Sequence, residues 1–237
     1  MDLVTATVAW LTDPAHWSGG NGIPARLEEH VAVSVVSLLV AAAVSLPLGL
    51  ATGHTRRFGT LAVNLANLGR ALPSLAVIAM AIPLTVLADP VLGGTVYPTV
   101  VAMIVLAIPP ILVNAYAGVR EVDAELVEAA RGMGLREMQI LAGIEVPLAI
   151  PVIAAGLRSA GVQVVATATL GAIFGFGGLG RYLVDGIAQQ DDGQIWGGVV
   201  LVAGLALLVE ACFALLQARL TSPGLRSPAA GRAPAAT

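Results

Sequence analysis

Lysine is absent from the sequence, because all 12 basic residues among its 237 residues are arginines. A P-loop of the G-x-x-x-x-G-K-[ST] type and a Schiff-base lysine are therefore excluded from this chain. A single cysteine, Cys212, excludes an internal disulfide. The three histidines, His16, His30 and His54, lie far apart without a cysteine nearby, so no metal site is predicted.

Charged and aromatic residues are also scarce. Only 11% of the residues are charged and 4% aromatic, whereas 57% are hydrophobic and the mean hydropathy is +0.87. This composition excludes an ordinary soluble domain and predicts a polytopic helical membrane protein. The net charge of -3 gives no reason to expect a nucleic-acid partner.

The apolar residues fall into five blocks that are long enough to cross a bilayer. The fold class predicted from them is an all-α polytopic membrane protein with about five transmembrane helices. An interfacial N-terminal segment, 1–30, precedes the blocks, and a disordered tail rich in Pro, Ala, Gly and Ser, 218–237, follows them. The Gly-rich stretch 174–194 is predicted to be a flexible or tightly turned loop. The predicted spans are 31–53, 61–86, 96–119, 146–174 and 195–217.

One long polar segment, 121–147, separates the third block from the fourth and must face water. Its first half predicts an amphipathic helix, whose apolar stripe at helical spacing consists of Val122, Leu126, Ala129, Ala130 and Met133. Gly132 and Gly134 predict a turn, after which a second short helix, about 136–144, folds back before Pro147.

The arginines predict the orientation in the membrane. If the polar segment is cytoplasmic, two arginines, Arg26 and Arg181, lie outside and eight lie inside. This bias predicts an external N-terminus and an internal C-terminus. The inner arginines are Arg56, Arg57, Arg120, Arg131, Arg136, Arg219, Arg226 and Arg232.

The polar segment also resembles the EAA loop of ABC-importer permeases. The resemblance rests on Glu128-Ala129-Ala130 followed by Gly134, Ile144 and Pro147 at the family's spacing, with Val146 where leucine is usual. The sequences PPILVNAYAGV before the loop, PLAIPVIAAGLRSAGVQVVATATLGA after it, and FGFGGLG are similar to the glycine betaine/carnitine/choline branch.

This resemblance implies a type I importer permease in the bacterial cell membrane. Its partners would be a separate ATPase subunit, a second permease subunit of the same or a related chain, an extracytoplasmic solute-binding protein and membrane lipid. The loop, 120–145, would be the cytoplasmic coupling loop that docks into the ATPase. This chain would bind no cofactor, and the partner would use ATP. The coupling residues would be Glu128, Ala129, Ala130, Gly134, Ile144 and Pro147.

Polar and kinking residues inside the spans are candidates for the solute pathway or its gate. Arg70 and Arg158 are the candidate intramembrane charges, and a charge there is a functional hypothesis by default. Snorkelling to the interface is an equally strong interpretation of both. Pro73 would kink a gating helix, and Asn114 is favoured as a hydrogen bond between helices over a solute ligand.

Two other function classes remain as alternatives. A permease for another small solute, such as a methionine-type amino-acid permease, would share much of the pattern. A self-sufficient secondary transporter would need coupling charges in its spans, where only Arg70, Arg158 and Glu210 are available. A membrane-embedded enzyme is not supported, since no catalytic cluster is present.

Overall fold

The computed structural model describes residues 2–57, 59, 64, 69 and 71–221. Within this part of the chain the regular structure is helical, with short 3₁₀ turns at Pro14–Trp17 and Ala172–Phe174. The helices are α1 Leu3–Thr12, α2 Ile23–Thr55, α3 Ser74–Ala88, α4 Val96–Arg120, α5 Ala124–Gly132, α6 Glu137–Ile140, α7 Val146–Gly171, α8 Gly180–Gln189 and α9 Asp192–Leu220.

Four helical stretches in the described residues are long and apolar enough to cross a membrane: Ile23–Thr55, Val96–Arg120, Glu137–Phe174 and Asp192–Leu220. A helix satisfies its own backbone N–H and C=O groups, which is why a long uncharged run adopts this form in lipid. The all-α polytopic fold class is confirmed. The predicted second span, 61–86, is represented by the apolar helix α3, and most of its residues before Leu72 lie outside the described part.

The helix ends differ from the predicted span limits. The helix that carries the first span begins at Ile23, whereas the span was predicted from residue 31, because the charged turn Arg26–Glu29 is itself helical. Helix α9 continues to Leu220, past the predicted start of the tail, and residues 222–237 lie outside the described part. A charged residue marks the point where a helix leaves the lipid. The helix itself continues as long as its backbone is hydrogen-bonded, so it extends beyond the end of the membrane span.

The centre of the fold is formed by α2, α4 and α7, which pack side by side. Gly49 and Gly53 of α2 form a G-x-x-x-G face against α4, where an added Cβ at Gly49 would lie 2.6 Å from Ala115 Cβ and 2.7 Å from the Leu112 carbonyl oxygen. Small residues at this spacing let two membrane helices approach at backbone distance. The close approach of α2 and α4 therefore depends on these two positions.

Lipid-facing surfaces account for many exposed apolar side chains. Leu207, Leu208 and Leu215 of α9 and Leu39 of α2 point away from the protein. In water such a surface would drive aggregation, whereas in lipid it needs no partner. The outer surface is therefore that of a membrane-embedded bundle.

The Gly-rich stretch 174–194 contains a tight turn followed by a helix. Gly175 and Gly178 adopt left-handed φ values of 86° and 70°, which make the predicted tight turns, but an amphipathic helix, α8, follows. The turn is held by α2: Glu29 Oε2 accepts a hydrogen bond of 2.9 Å from Gly178 N. His30 Nδ1 accepts one of 3.3 Å from Leu179 N. The predicted tight turn is thus held by contacts between residues 149 positions apart in sequence.

Candidate functional site

The coupling loop begins with the short helix α5. Asp123 caps it, since one of its carboxylate oxygens accepts a hydrogen bond of 2.9 Å from Glu125 N. One face of α5 is buried through Val127 and Ala130, which pack with Val122 and Ile140 in an apolar cluster of the loop's own. The loop is therefore a small folded unit attached to the bundle.

The predicted apolar stripe of α5 was partly wrong. Val122 and Ala130 are buried as predicted, but Leu126, Ala129 and Met133 are exposed, Met133 by 73%. Val127, outside the predicted stripe, is buried instead. The helix has nine residues, and apolar residues occur on more than one side of it. The side that packs against α6 and the turn after it is the one that is buried. The exposed apolar residues remain available to a partner.

A Schellman motif ends α5 at Gly134. Leu135 N donates to the Ala130 carbonyl over 3.2 Å, and Gly134 N donates to the Arg131 carbonyl over 2.9 Å. Gly134 has a φ of 87°, a value that residues with a Cβ adopt only with strain. Leu135 then packs onto the loop's apolar cluster. The predicted turn is thus present, and it reverses the chain between α5 and α6.

The second short helix is shorter than predicted but continues into the fourth span. Helix α6 covers only Glu137–Ile140, and its first turn is capped by Gln139, whose Oε1 accepts 2.8 Å from Arg136 N. A π-helical turn, Leu141–Glu145, joins it to α7, with Pro147 in the first turn of that helix. Proline has no backbone N–H to donate, and it is tolerated at the start of a helix for this reason. Turns of π type recur at functional sites.

A bidentate ion pair joins the two short helices of the loop. Arg131 Nε and Nη2 lie 2.8 and 2.9 Å from the two carboxylate oxygens of Glu137, a bidentate pair between α5 and α6. The hydrogen bonds with Glu137, and then its charge and those of Glu145 and Glu128, raise the pKa of the Arg131 guanidinium above its ordinary value. The guanidinium is therefore permanently charged, and it fixes the position of the Glu137 carboxylate.

His54, at the end of α2, also reaches into the loop. Its Nδ1 lies 2.5 Å from Glu145 Oε2, and its Nε2 lies 3.1 Å from Glu137 Oε2. Glu145 is only 4% exposed. A cavity of about 510 Å³ opens here, lined by His54, Thr55, Arg56, Arg57, Val127, Arg131, Glu137 and Glu145. Neither His54 nor these two glutamates was among the predicted site residues, because contacts across 91 positions leave no local signal.

The structure places the six predicted coupling residues in one loop but in different surroundings. Glu128, Ala129, Gly134 and Pro147 are exposed, whereas Ala130 is fully buried and Ile144 is half-buried against the loop's own cluster. Because Ala130 is fully buried, its side chain is not exposed to a partner. Its small side chain instead allows α5 to pack onto the rest of the loop.

The three predicted pathway residues within the described ranges, Pro73, Asn114 and Arg158, lie at three different elements. Arg70 lies outside the described residues, and Pro73 stands just before α3. Asn114 Nδ2 donates 2.7 Å to the Pro110 carbonyl within its own helix, rather than between helices. Arg158 Nε of α7 lies 3.4 Å from Glu210 Oε1 of α9, a contact that the sequence pattern did not reveal.

Across the described ranges, no group of three or more His, Cys, Asp or Glu side chains is arranged to hold a metal ion. The exposed side chains of α5 include the apolar Leu126 and the acidic Glu125 and Glu128.

A helical bundle whose described residues include four membrane-length helices, with a folded polar loop between two of them, is the architecture of a polytopic membrane protein. The chain belongs to the family of binding-protein-dependent transport system inner membrane components, whose model matches residues 45–227. It is thus a multi-pass protein of the cell membrane. The resemblance seen in the EAA pattern is confirmed.

Named relatives cover almost the whole chain. The carnitine transport permease protein OpuCB of Listeria monocytogenes is 33% identical over 90% of this chain and 94% of its own length. The glycine betaine/carnitine/choline transport system permease protein OpuCB of Bacillus subtilis is 32% identical over 88% of this chain and 93% of its own. The osmoprotectant import permease protein OsmW of Salmonella typhimurium is 30% identical over 84% and 91%.

A solved structure shares the fold. A chain of the MetNI methionine ABC transporter, in an inward-facing conformation, superposes with a TM-score of 0.76 and covers 89% of this chain and 100% of its own. Sequence identity is 22%, so the likeness concerns the fold. The predicted type I ABC importer permease architecture is confirmed.

Proposed function

We propose that this chain is the translocation subunit of an ATP-driven importer for osmoprotectants of the glycine betaine, carnitine and choline type. The observation that carries the proposal is the folded coupling loop on a permease bundle whose relatives are named for these solutes. The loop would dock into a separate ATPase subunit, which binds and hydrolyses the ATP. This chain would bind no cofactor itself.

In this proposal the coupling loop and the C-terminus face the cytoplasm, and the N-terminus faces outward, as the arginine bias predicts. Exposed Glu128 and Ala129 would contact the ATPase, while Gly134 would preserve the turn that presents them. ATP-driven closure of the ATPase would move the loop, and the spans would then open outward to receive the solute. A second permease subunit would complete the pathway.

Selection of the solute would take place mainly in the extracytoplasmic binding protein. Quaternary ammonium groups are held by open aromatic cages. The aromatic ring contacts found in the described residues join Trp10 to His16 and Tyr182, and Trp10 and Tyr182 are both buried. These ring contacts join α1 to α8 and to the turn Pro14–Trp17, so the rings serve packing, which favours a weak pathway in this subunit.

The alternatives receive less support. The methionine transporter shares the fold at 22% identity, and a likeness at that level carries no argument about substrate. A secondary transporter needs an intramembrane charge free to couple, whereas Arg158 and Glu210 face one another. We also propose that Arg70 and Arg158 line the solute pathway. Pro73 and Asn114 would lie at its gate.

Reconstitution tests the proposal. The permease, an ATPase encoded beside it and the matching binding protein would be placed in liposomes, and uptake of labelled glycine betaine measured with and without ATP. Competition with choline, carnitine, proline and methionine would then rank the solutes. We expect ATP-dependent uptake that quaternary ammonium solutes inhibit; uptake without ATP, or inhibition by methionine alone, would contradict the proposal.

A further inference from the structure

We propose that His54 is a positioning residue that couples the first span to the coupling loop, and that it does so as an imidazolium held between Glu145 and Glu137. The inference rests on the proposed function, since it concerns how the ATPase would move the spans. It begins from the two carboxylates that face the two nitrogens of one ring, at 2.5 and 3.1 Å.

The ring nitrogens define the charge that this arrangement needs. A neutral imidazole has one N–H, so one of the two carboxylates would face a lone pair. Only the imidazolium donates to both. His30 offers a contrast within the same helix, because its Nδ1 accepts from Leu179 N while its Nε2 lies 3.1 Å from the Val165 carbonyl oxygen. That pairing of one acceptor and one donor suits a neutral ring.

The His54 contacts complete a chain of hydrogen bonds through four elements. Arg131 of α5 binds Glu137 of α6, Glu137 faces His54 of α2, and His54 binds Glu145 of the π-helical turn. Two spans, α2 and α7, are thereby connected to the helix that bears Glu128. A displacement of α5 would reach α2 through His54 rather than through lipid-facing packing.

Other charged groups around His54 do not replace it. Arg56 and Arg57 line the same cavity at the end of α2, but they are exposed. Glu128 adds its charge near Arg131. Each of the two spans packed against α2 carries one charged residue, Arg120 at the end of α4 and Arg158 opposite Glu210 in α7. The buried carboxylate of Glu145 has His54 as its ion-pair partner in the described chain.

The experiment measures solute uptake per ATP hydrolysed in the reconstituted complex. His54→Gln, which carries no positive charge, should lower the ratio about fivefold. His54→Arg, which keeps a charge and several donors, should retain the wild-type ratio.

The comparison between His54→Gln and His54→Arg isolates the positive charge at this position, because the partner subunits are the same in both complexes. If His54→Gln does not assemble, Glu137→Gln serves instead: that side chain is 55% exposed, so folding tolerates the change, and the ratio should again fall. A variant that lowers only the yield of complex, with a ratio equal to that of the wild type, would overturn the proposal.

Failure of this inference is distinguishable from failure of the proposed function. A wild-type complex without ATP-driven uptake would contradict the importer assignment whatever His54 does. A wild-type complex that transports, with His54→Gln and Glu137→Gln indistinguishable from it in uptake per ATP, would contradict the role of His54 alone.

Discussion

His30 Nε2 lies 3.1 Å from the carbonyl oxygen of Val165, which joins the start of the first span to the middle of the fourth. The ring is fully buried, and its other nitrogen accepts from Leu179 N. Replacement by leucine removes both partners, and a buried group left unpaired costs about 1–3 kcal/mol. His30→Leu should therefore lower the free energy of unfolding in detergent by about that amount.

Val31→Leu is the matched control for this change. Its side chain is exposed on the same helix, and the substitution should leave the unfolding transition unchanged. Equal stability of His30→Leu and the wild type would show that the His30 hydrogen bonds contribute nothing to the fold.

Gly134 and Gly132 give a paired test of the turn in the coupling loop. An added Cβ meets no atom within 4 Å at either position, but only Gly134 has a left-handed φ. Gly134→Ala should strain the loop by about 1–2 kcal/mol and lower uptake per ATP with normal membrane insertion. Gly132→Ala, inside α5, should be neutral or slightly stabilising. Equal coupling ratios in both variants would remove the Schellman turn from the mechanism.

Ala129 and Ala130 are neighbours in sequence and should respond differently to a larger side chain. Ala130 is fully buried in the loop's cluster, so Ala130→Leu should overpack it and destabilise the permease by about 1–3 kcal/mol. Ala129 is exposed, so Ala129→Leu should leave thermal unfolding unchanged and reduce co-purification of the ATPase. The reverse pattern would place the docking face on the other side of α5.

Arg158 and Glu210 form a pair whose contribution a double-mutant cycle measures. The side chains are 34% and 45% exposed in the isolated bundle, where lipid would surround them. Either single change to glutamine leaves one charge unpaired in an apolar span, so each should lower the unfolding midpoint. The double change Arg158→Gln/Glu210→Gln should restore it.

Uptake by that double variant separates packing from a pathway role. Normal uptake with restored stability would assign both charges to helix pairing. Lost uptake with restored stability would place Arg158 on the solute route. A double variant less stable than both single ones would contradict the pairing itself.

The long spans could be predicted from sequence because the bilayer imposes a rule on every residue. An uncharged run such as that before Gly53 must be helical, whatever it packs against. The turn at Gly134 was predictable for a similarly local reason, since glycine alone adopts its backbone conformation without strain. Local chemistry decides such features, and the sequence displays it directly.

The inner face of α5 and the contacts of His30 and His54 were not predictable in this way. Val127 is buried and Leu126 exposed because Ile140 covers one side of the helix, which local periodicity does not record. His54 finds Glu145 only because α2 ends beside the start of the fourth span. A histidine at a span end has the same local pattern whether it faces water or a carboxylate.

The helical path from Glu137 to Phe174 is continuous and 38 residues long, so it extends beyond the apolar layer and holds the coupling loop away from the bilayer. At about 1.5 Å per residue, the nine residues before Val146 raise the start of α6 about 13 Å beyond the apolar layer. The headgroup zone occupies about 5–8 Å of that height. In the proposed complex, a soluble subunit can therefore bind α5 without displacing lipid. The composition of the bilayer should then leave the affinity of that subunit for the permease unchanged.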